Sequence, residues 1–183
     1  MKKIIFSFLA IALTIGVVSG TAFALFSDTA TVSGISIAAG NADILVSGNG
    51  TNFDDNAADI GVDINGIYPG MTFSDNFYIK NESDSVIALN ISGQLTAATG
   101  DWAALSPWLW LKIDDAATPA NTTGWITLAA WNAGSVNFPS NPLAHLATRE
   151  YIANFKVDPA ATDIADKSLT DITFVITGTQ VAP

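Results

Sequence analysis

The chain of 183 residues has the length of about one domain, and 49% hydrophobic residues suffice to build a core. Seven Lys and Arg stand against 17 Asp and Glu, a formal net charge of −10, which argues against nucleic acid because phosphate binding needs clustered cations. There is no cysteine and one histidine, His145, so disulfides and thiolate chemistry are excluded and any zinc or triad chemistry has a single imidazole.

The first element is an export signal. Lys2 and Lys3 precede an apolar run from Ile4 to Val18. As a helix this run spans about 22 Å, short of a ~30 Å hydrocarbon core. Ser19-Gly20-Thr21 breaks it, and Ala22-Phe23-Ala24 supplies the small-x-small pattern read by signal peptidase. The expected cut follows Ala24, so residues 1–24 form the signal helix and the mature chain starts at Leu25. Removing Lys2 and Lys3 leaves 5 basic against 17 acidic residues, a net of −12. An uncleaved anchor is the competing reading, because Phe23, Leu25 and Phe26 extend the apolar stretch.

Residues 25–37 follow as a strand: Leu25, Phe26, Ser27, Asp28, Thr29, Ala30, Thr31 and Val32, then Ser33-Gly34, then Ile35 and Ile37. The segment is rich in β-branched residues, contains no Lys or Pro, and has Asp28 as its one charge. Such a strand either closes its own sandwich as an ordinary first strand or augments a neighbour's exposed edge.

Residues 38–183 read as one all-β domain. Ala42–Ser47 is a short strand candidate, and Gly48–Ala58, rich in Gly, Asn and Asp, reads as a mobile loop. Met71, Phe73, Phe77 and Ile79 alternate with Thr72, Ser74, Asn76, Tyr78 and Lys80, the period of a half-buried strand. A polar cluster, Asn81–Ser85, separates it from Ile87, Leu89 and Ile91, and the pair predicts a β-hairpin. Asp101–Leu105 predicts one helical turn and Pro142–Leu146 another. Leu109–Ile113 and Trp125–Leu128 are strand candidates. Tyr151, Ala153, Phe155 and Val157 form a further alternating strand, ended by Asp158-Pro159, and Ile172, Phe174 and Ile176 form the last. Short strands punctuated by polar turns predict an antiparallel β-sandwich with one or two short helices.

Candidate chemistry is sparse. Asp54, Asp55, Asp59 and Asp63 form an oxygen-rich cluster that could take Ca²⁺, but the spacing matches no EF-hand and a solvated acidic loop is the default. His145 has no HExxH around it, so no catalytic residue is assigned and the chain is not expected to be an enzyme. Five tryptophans crowd the middle: Trp102, Trp108, Trp110, Trp125 and Trp131. Trp108 and Trp110 share a face if 108–113 is extended and could stack on sugar, although burial is the commoner fate of tryptophan. Asn-x-Ser/Thr sequons occur at Asn49, Asn81, Asn90 and Asn121. Asn49, Asn81 and Asn121 fall in expected turns and are the better glycosylation candidates.

Three stretches carry a family resemblance. The first is Phe26-Ser27-Asp28-Thr29, then the Ser33-Gly34 break, then Ala39-Gly40-Asn41-Ala42-Asp43-Ile44. The second is Tyr68-Pro69-Gly70-Met71 leading into Phe77-Tyr78-Ile79-Lys80-Asn81. The third is the last strand, ending in Gln180. This pattern resembles the TasA/camelysin family of exported proteins. The resemblance implies a jelly-roll-like sandwich that polymerises into extracellular fibres, as biofilm matrix or bundling pili, with the mature N-terminal strand of one subunit inserted into the next. It also implies partners: signal peptidase, other copies of the chain, and matrix or anchor proteins. Camelysin-like members act as cell-surface metallopeptidases, but this sequence departs from familiar zinc motifs. The expected function is therefore a secreted fibre subunit, with the peptidase and a surface glycan-binding module as alternatives.

Overall fold

The computed structural model describes residues 42–55, 66–84 and 86–181. The expected signal helix, cleavage residues Ala22, Ala24 and Leu25, and N-terminal strand 25–37 lie outside these residues, as do Asp59 and Asp63. In chain order the elements are β1 (Ile44–Ser47), β2 (Thr72–Asn81), β3 (Leu89–Gly100), α1 (Trp102–Leu105) and β4 (Leu109–Asp115). Then follow β5 (Ile126–Thr127), α2 (Leu128–Ala133), β6 (Val136–Asn137), β7 (Thr148–Val157) and β8 (Leu169–Gln180). They form an all-β sandwich: a five-stranded sheet, β1-β2-β7-β4-β5, faces a three-stranded sheet, β6-β3-β8, and every pairing is antiparallel.

Side-chain alternation decides which face each strand buries. Phe77 and Ile79 of β2, Leu109, Leu111 and Ile113 of β4, and Tyr151 and Val157 of β7 point inward from the larger sheet. Leu89, Ile91 and Leu95 of β3 meet them from the smaller one, each at most 1% exposed. An aromatic group knits the layers: Phe77 stacks on Tyr151 with centroids 5.5 Å apart, and Phe138 meets Tyr151 edge-on at 5.3 Å.

Two expectations are corrected. The strands flanking Asn81–Ser85 are not a hairpin: β2 and β3 belong to different sheets. The chain turns a corner between layers, and Asn81 holds that corner. Its Nδ2 donates to Ile87 O at 2.9 Å and Leu143 O at 3.1 Å, while its Oδ1 accepts from Ser83 Oγ at 2.7 Å. Alternation marks the buried face of a strand and not its neighbour, so both arrangements share one pattern. Pro142–Leu146 is not helical either. Leu143 instead exchanges backbone hydrogen bonds with Leu89 at 2.9 and 2.8 Å. The second short helix is α2, where Thr127 accepts from Ala130 N–H as N-cap.

The described part of the expected loop, Gly48–Asp55, carries its own hydrogen bonds, and residues 56–58 lie outside the described residues. Asn49 Oδ1 accepts from the Thr51 and Asn52 amides at 2.8 and 3.0 Å, and Asp54 returns to pair with Val46 through two backbone hydrogen bonds.

Candidate functional site

A sandwich has four lateral edges, and a long bare edge is a template for another strand. Here three are short or covered. At β3, Gly93 and Ser92 pair with β6. Ile91 O then accepts from Phe138 N–H at 2.9 Å, and the Asn141 side-chain amide bonds both Ile91 N and Ile91 O at 2.8 Å, imitating a strand residue. Leu89 is closed by Leu143. At β4, the two residues of β5 are followed by Thr123 N–H on Ile113 O at 2.9 Å and by the Asp115 amide on Asn121 O at 3.1 Å. At β1, Asp54 covers Val46.

The fourth edge is β8. It is 12 residues long, which at ~3.3 Å per residue gives roughly 40 Å of strand. Among the described residues it pairs with β3 alone. Alternate N–H and C=O groups of an antiparallel edge strand point away from its partner. Its sequence, LTDITFVITGTQ, is rich in β-branched residues and contains no Lys, Arg or Pro, the residues that blunt natural edges. Ile172, Phe174 and Ile176 point inward yet remain only half-buried, whereas Leu89, Ile91 and Leu95 on the neighbouring strand are sealed. Val175, on the outer face, is 45% exposed.

Opposite β8 across the sandwich lies β1. A Cβ on Gly178 would fall 2.7 Å from Ile44 Cγ2 and 3.1 Å from Leu89 Cδ1, so β8 and β1 approach closely there. The half-buried Ile44 and Val46 line the same side from the larger sheet. Among the described residues, the result is one side of the sandwich with a long uncovered strand above and a short covered strand below.

The other predicted residues are placed as follows. Asp54 and Asp55 are exposed, with Asp54 Oδ1 accepting from the Asp55 amide at 2.7 Å. Among the described residues no three His, Cys, Asp or Glu side chains gather as a metal-ligand set. Asn49 is exposed, and Asn121 is exposed with its Nδ2 on Ser140 Oγ at 2.8 Å. Asn81 does not fit a glycan acceptor in the folded chain: it is fully buried and its amide donates to two carbonyls. Asn90, passed over because it falls in a strand, is exposed on β3.

The tryptophans separate. Trp131 is fully buried and donates to Leu111 O at 3.2 Å, while Trp102 and Trp108 pack partly against the core. Trp108 precedes β4 and Trp110 lies within it. Trp110 is paired in space with Trp125, a neighbour that sequence spacing did not suggest: the Lys156 ammonium lies 5.1 Å from the Trp110 ring centroid and 4.5 Å from that of Trp125.

One carboxylate is strongly engaged. Asp115, at the end of β4, is 4% exposed. Burial alone would raise its pKa. Hydrogen bonding from Ser140 and from the Ala117 and Thr118 amides, with the positive charge of Arg149, overcomes this and holds it below the ordinary value of 3.8. Its Oδ2 lies 3.6 Å from Arg149 Nε, and Arg149 also donates to Ser140 O. The cluster ties β4 and β7 to the segment that covers β3. No protein-family model and no curated protein matches this chain.

Proposed function

We propose that this protein is a secreted structural subunit that self-assembles head-to-tail into extracellular fibres, the N-terminal strand 25–37 of one copy adding to the β8 edge of the next. The observation that carries the reading is the β8 edge, which among the described residues pairs with β3 alone and has a half-buried inner face, in a sandwich whose other edges are short or covered. The donor is the segment whose residues, from Leu25 to Ile37, have strand-forming composition and no blocking Lys or Pro. Its length suits a 12-residue acceptor. Strand addition supplies main-chain hydrogen bonds along β8 and covers Ile172, Phe174 and Ile176. A contact between two different surfaces of the same subunit gives a filament on repetition when its rotation does not close into a ring. The resemblance to the TasA/camelysin family points to the same role in a biofilm matrix or bundling pilus.

Negative-stain electron microscopy of two forms, residues 25–183 and 38–183, in salt with calcium tests this. Filaments from the first and globular particles from the second are expected. A synthetic peptide of residues 25–37, added in excess, should occupy the edge and stop growth. Filaments from both forms would move the joint away from the N-terminal strand, and filaments from neither would remove self-assembly.

A further inference from the structure

The outer face of the five-stranded sheet carries a second feature, at the opposite end of that sheet from β1. Cross-strand register places Lys156 of β7 between Thr72 of β2 and Trp110 of β4, with Ser74 and Asn154 in the next row. Trp125, just before β5, completes the group and stays 37% exposed although two lysines lie over its ring, Lys156 at 4.5 Å and Lys112 at 5.3 Å. The two cations differ. Lys112 is neutralised by Asp114 at 2.6 Å, and Asp114 also accepts from Asn154 at 3.0 Å. Lys80, Lys167 and Arg149 are likewise paired with carboxylates. Among the described residues Lys156 is the one Lys or Arg without a carboxylate within 4 Å; the rings of Trp110 and Trp125 lie against it instead.

In a chain with 17 acidic and 7 basic residues, a cation left without a carboxylate and set between two indoles selects for a particular chemistry. Its anionic partner needs an apolar face to pack on the part of Trp125 that the lysines leave exposed, a carboxylate to meet the ammonium, and hydroxyls to meet polar neighbours. Thr72 and Ser74 are both exposed beside Lys156 and offer such hydroxyls. A uronate ring combines the three: axial C–H groups that stack on indole, a carboxylate, and hydroxyls. An acidic peptide supplies the charge, but a ring face and hydroxyls only through further side chains, whereas a uronate holds all three in one ring. We infer that Trp110, Trp125 and Lys156, with the hydroxyls of Thr72 and Ser74, form a binding site for a uronate-bearing polysaccharide. The site lies on the sheet that does not contain β8, so it is separate from the edge proposed for assembly and does not depend on it.

Affinity electrophoresis of the purified protein in gels containing polygalacturonate, dextran or no polymer tests the inference. About 0.15 M salt is included, because the Debye length of ~8 Å there screens repulsion between acidic protein and acidic polymer. Retardation by polygalacturonate and not by dextran is expected. Trp125→Ala should weaken it about tenfold, the scale of one stacking contact. Lys156→Gln should weaken it comparably, and Lys156→Arg should keep it. Lys167→Gln, which removes the same charge away from the patch, should leave binding unchanged, and circular dichroism should show every variant folded. Absence of retardation, equal retardation by dextran, or equal loss in Lys156→Gln and Lys167→Gln would overturn the site. So would self-association without polymer that Trp125→Ala abolishes, because the patch would then seat a second copy of this chain. The readout is binding and is independent of filament formation.

Discussion

β3 and β8 are partners in one ladder, yet their outer edges are built differently. The outer edge of β3 is closed group by group, with β6, the Phe138 amide, the Asn141 side chain and Leu143 each taking a share. Between the sheets on that side stands α2, whose Trp131 plugs the interior and whose Asn132 donates to Leu95 O at 2.9 Å. Nothing comparable covers β8 among the described residues, and its inner side chains are less sealed. The covered side satisfies polar groups that would otherwise invite pairing, while among the described residues nothing takes those of the outer edge of β8. The difference places the tighter packing on one side and the edge proposed for association on the other.

The largest expected effect comes from breaking the covered side. Trp131→Ala removes a fully buried indole and orphans its contact to Leu111 O, so urea unfolding should show a loss of about 3–5 kcal/mol. Val175→Ala on β8, at a side chain 45% exposed, should stay within about 0.5 kcal/mol. A comparable loss at both positions would mean that β8 is as deeply engaged as the helix.

A second test acts on the same side through pH. The Asp115 pKa is lowered on folding, so its ionised form stabilises the native state above the ordinary value of 3.8, and that contribution is lost as pH falls through the lower folded value. Asp115→Asn should be less stable near neutrality, and the gap to the parent should narrow as pH falls. Urea midpoints measured from about pH 7 to about pH 2 would show it. A constant gap would mean that packing, not charge, fixes the Asp115 contribution.

The same contrast explains what could be read from residues alone. Alternation in Met71–Ile79 and Tyr151–Val157 located strands and inner faces, because burial of one face imposes period two, and Leu109–Ile113 stood as a strand candidate without an assigned face. Sheet membership was not legible, since Phe77 and Leu89 face one core from opposite layers. Trp125–Leu128 read as a strand and contains β5, Ile126–Thr127, but the helix that begins at Leu128 was missed because α2 is only six residues long, too short for helical periodicity, although Thr127 as N-cap was a usable signal. The β8 edge was invisible for a related reason: Ile172, Phe174 and Ile176 alternate just as a central strand does. What distinguishes an edge is the missing neighbour, and a missing neighbour leaves no mark in a single chain. The segment proposed as donor, residues 25–37, lies outside the described residues, so its strand-forming composition is the whole of what marks it. The meeting of Trp110 with Trp125 depended on cross-strand register, which spacing does not encode.

The smallest expected effect is also the most direct measure of how the two sides differ. Gly93 of β3 and Gly178 of β8 both face the interior of the smaller sheet. A Cβ at Gly93 would collide with the rings of Phe174 and Phe138. Phe138 cannot retreat, being 3% exposed and wedged against Tyr151 at 5.3 Å and Trp131 at 6.5 Å. Gly93→Ala should therefore cost about 1–3 kcal/mol, as overpacking does. A Cβ at Gly178 meets the end of Ile44 at 2.7 Å, but Ile44 is half-buried on a strand of four residues and can turn aside. Gly178→Ala should cost less than about 1 kcal/mol. Equal costs would show the β8 side to be as tightly packed as the covered one, and a strand arriving at β8 would then find no slack for its own side chains. A clear difference would show that the edge proposed to receive a neighbour also lies where the sandwich can yield.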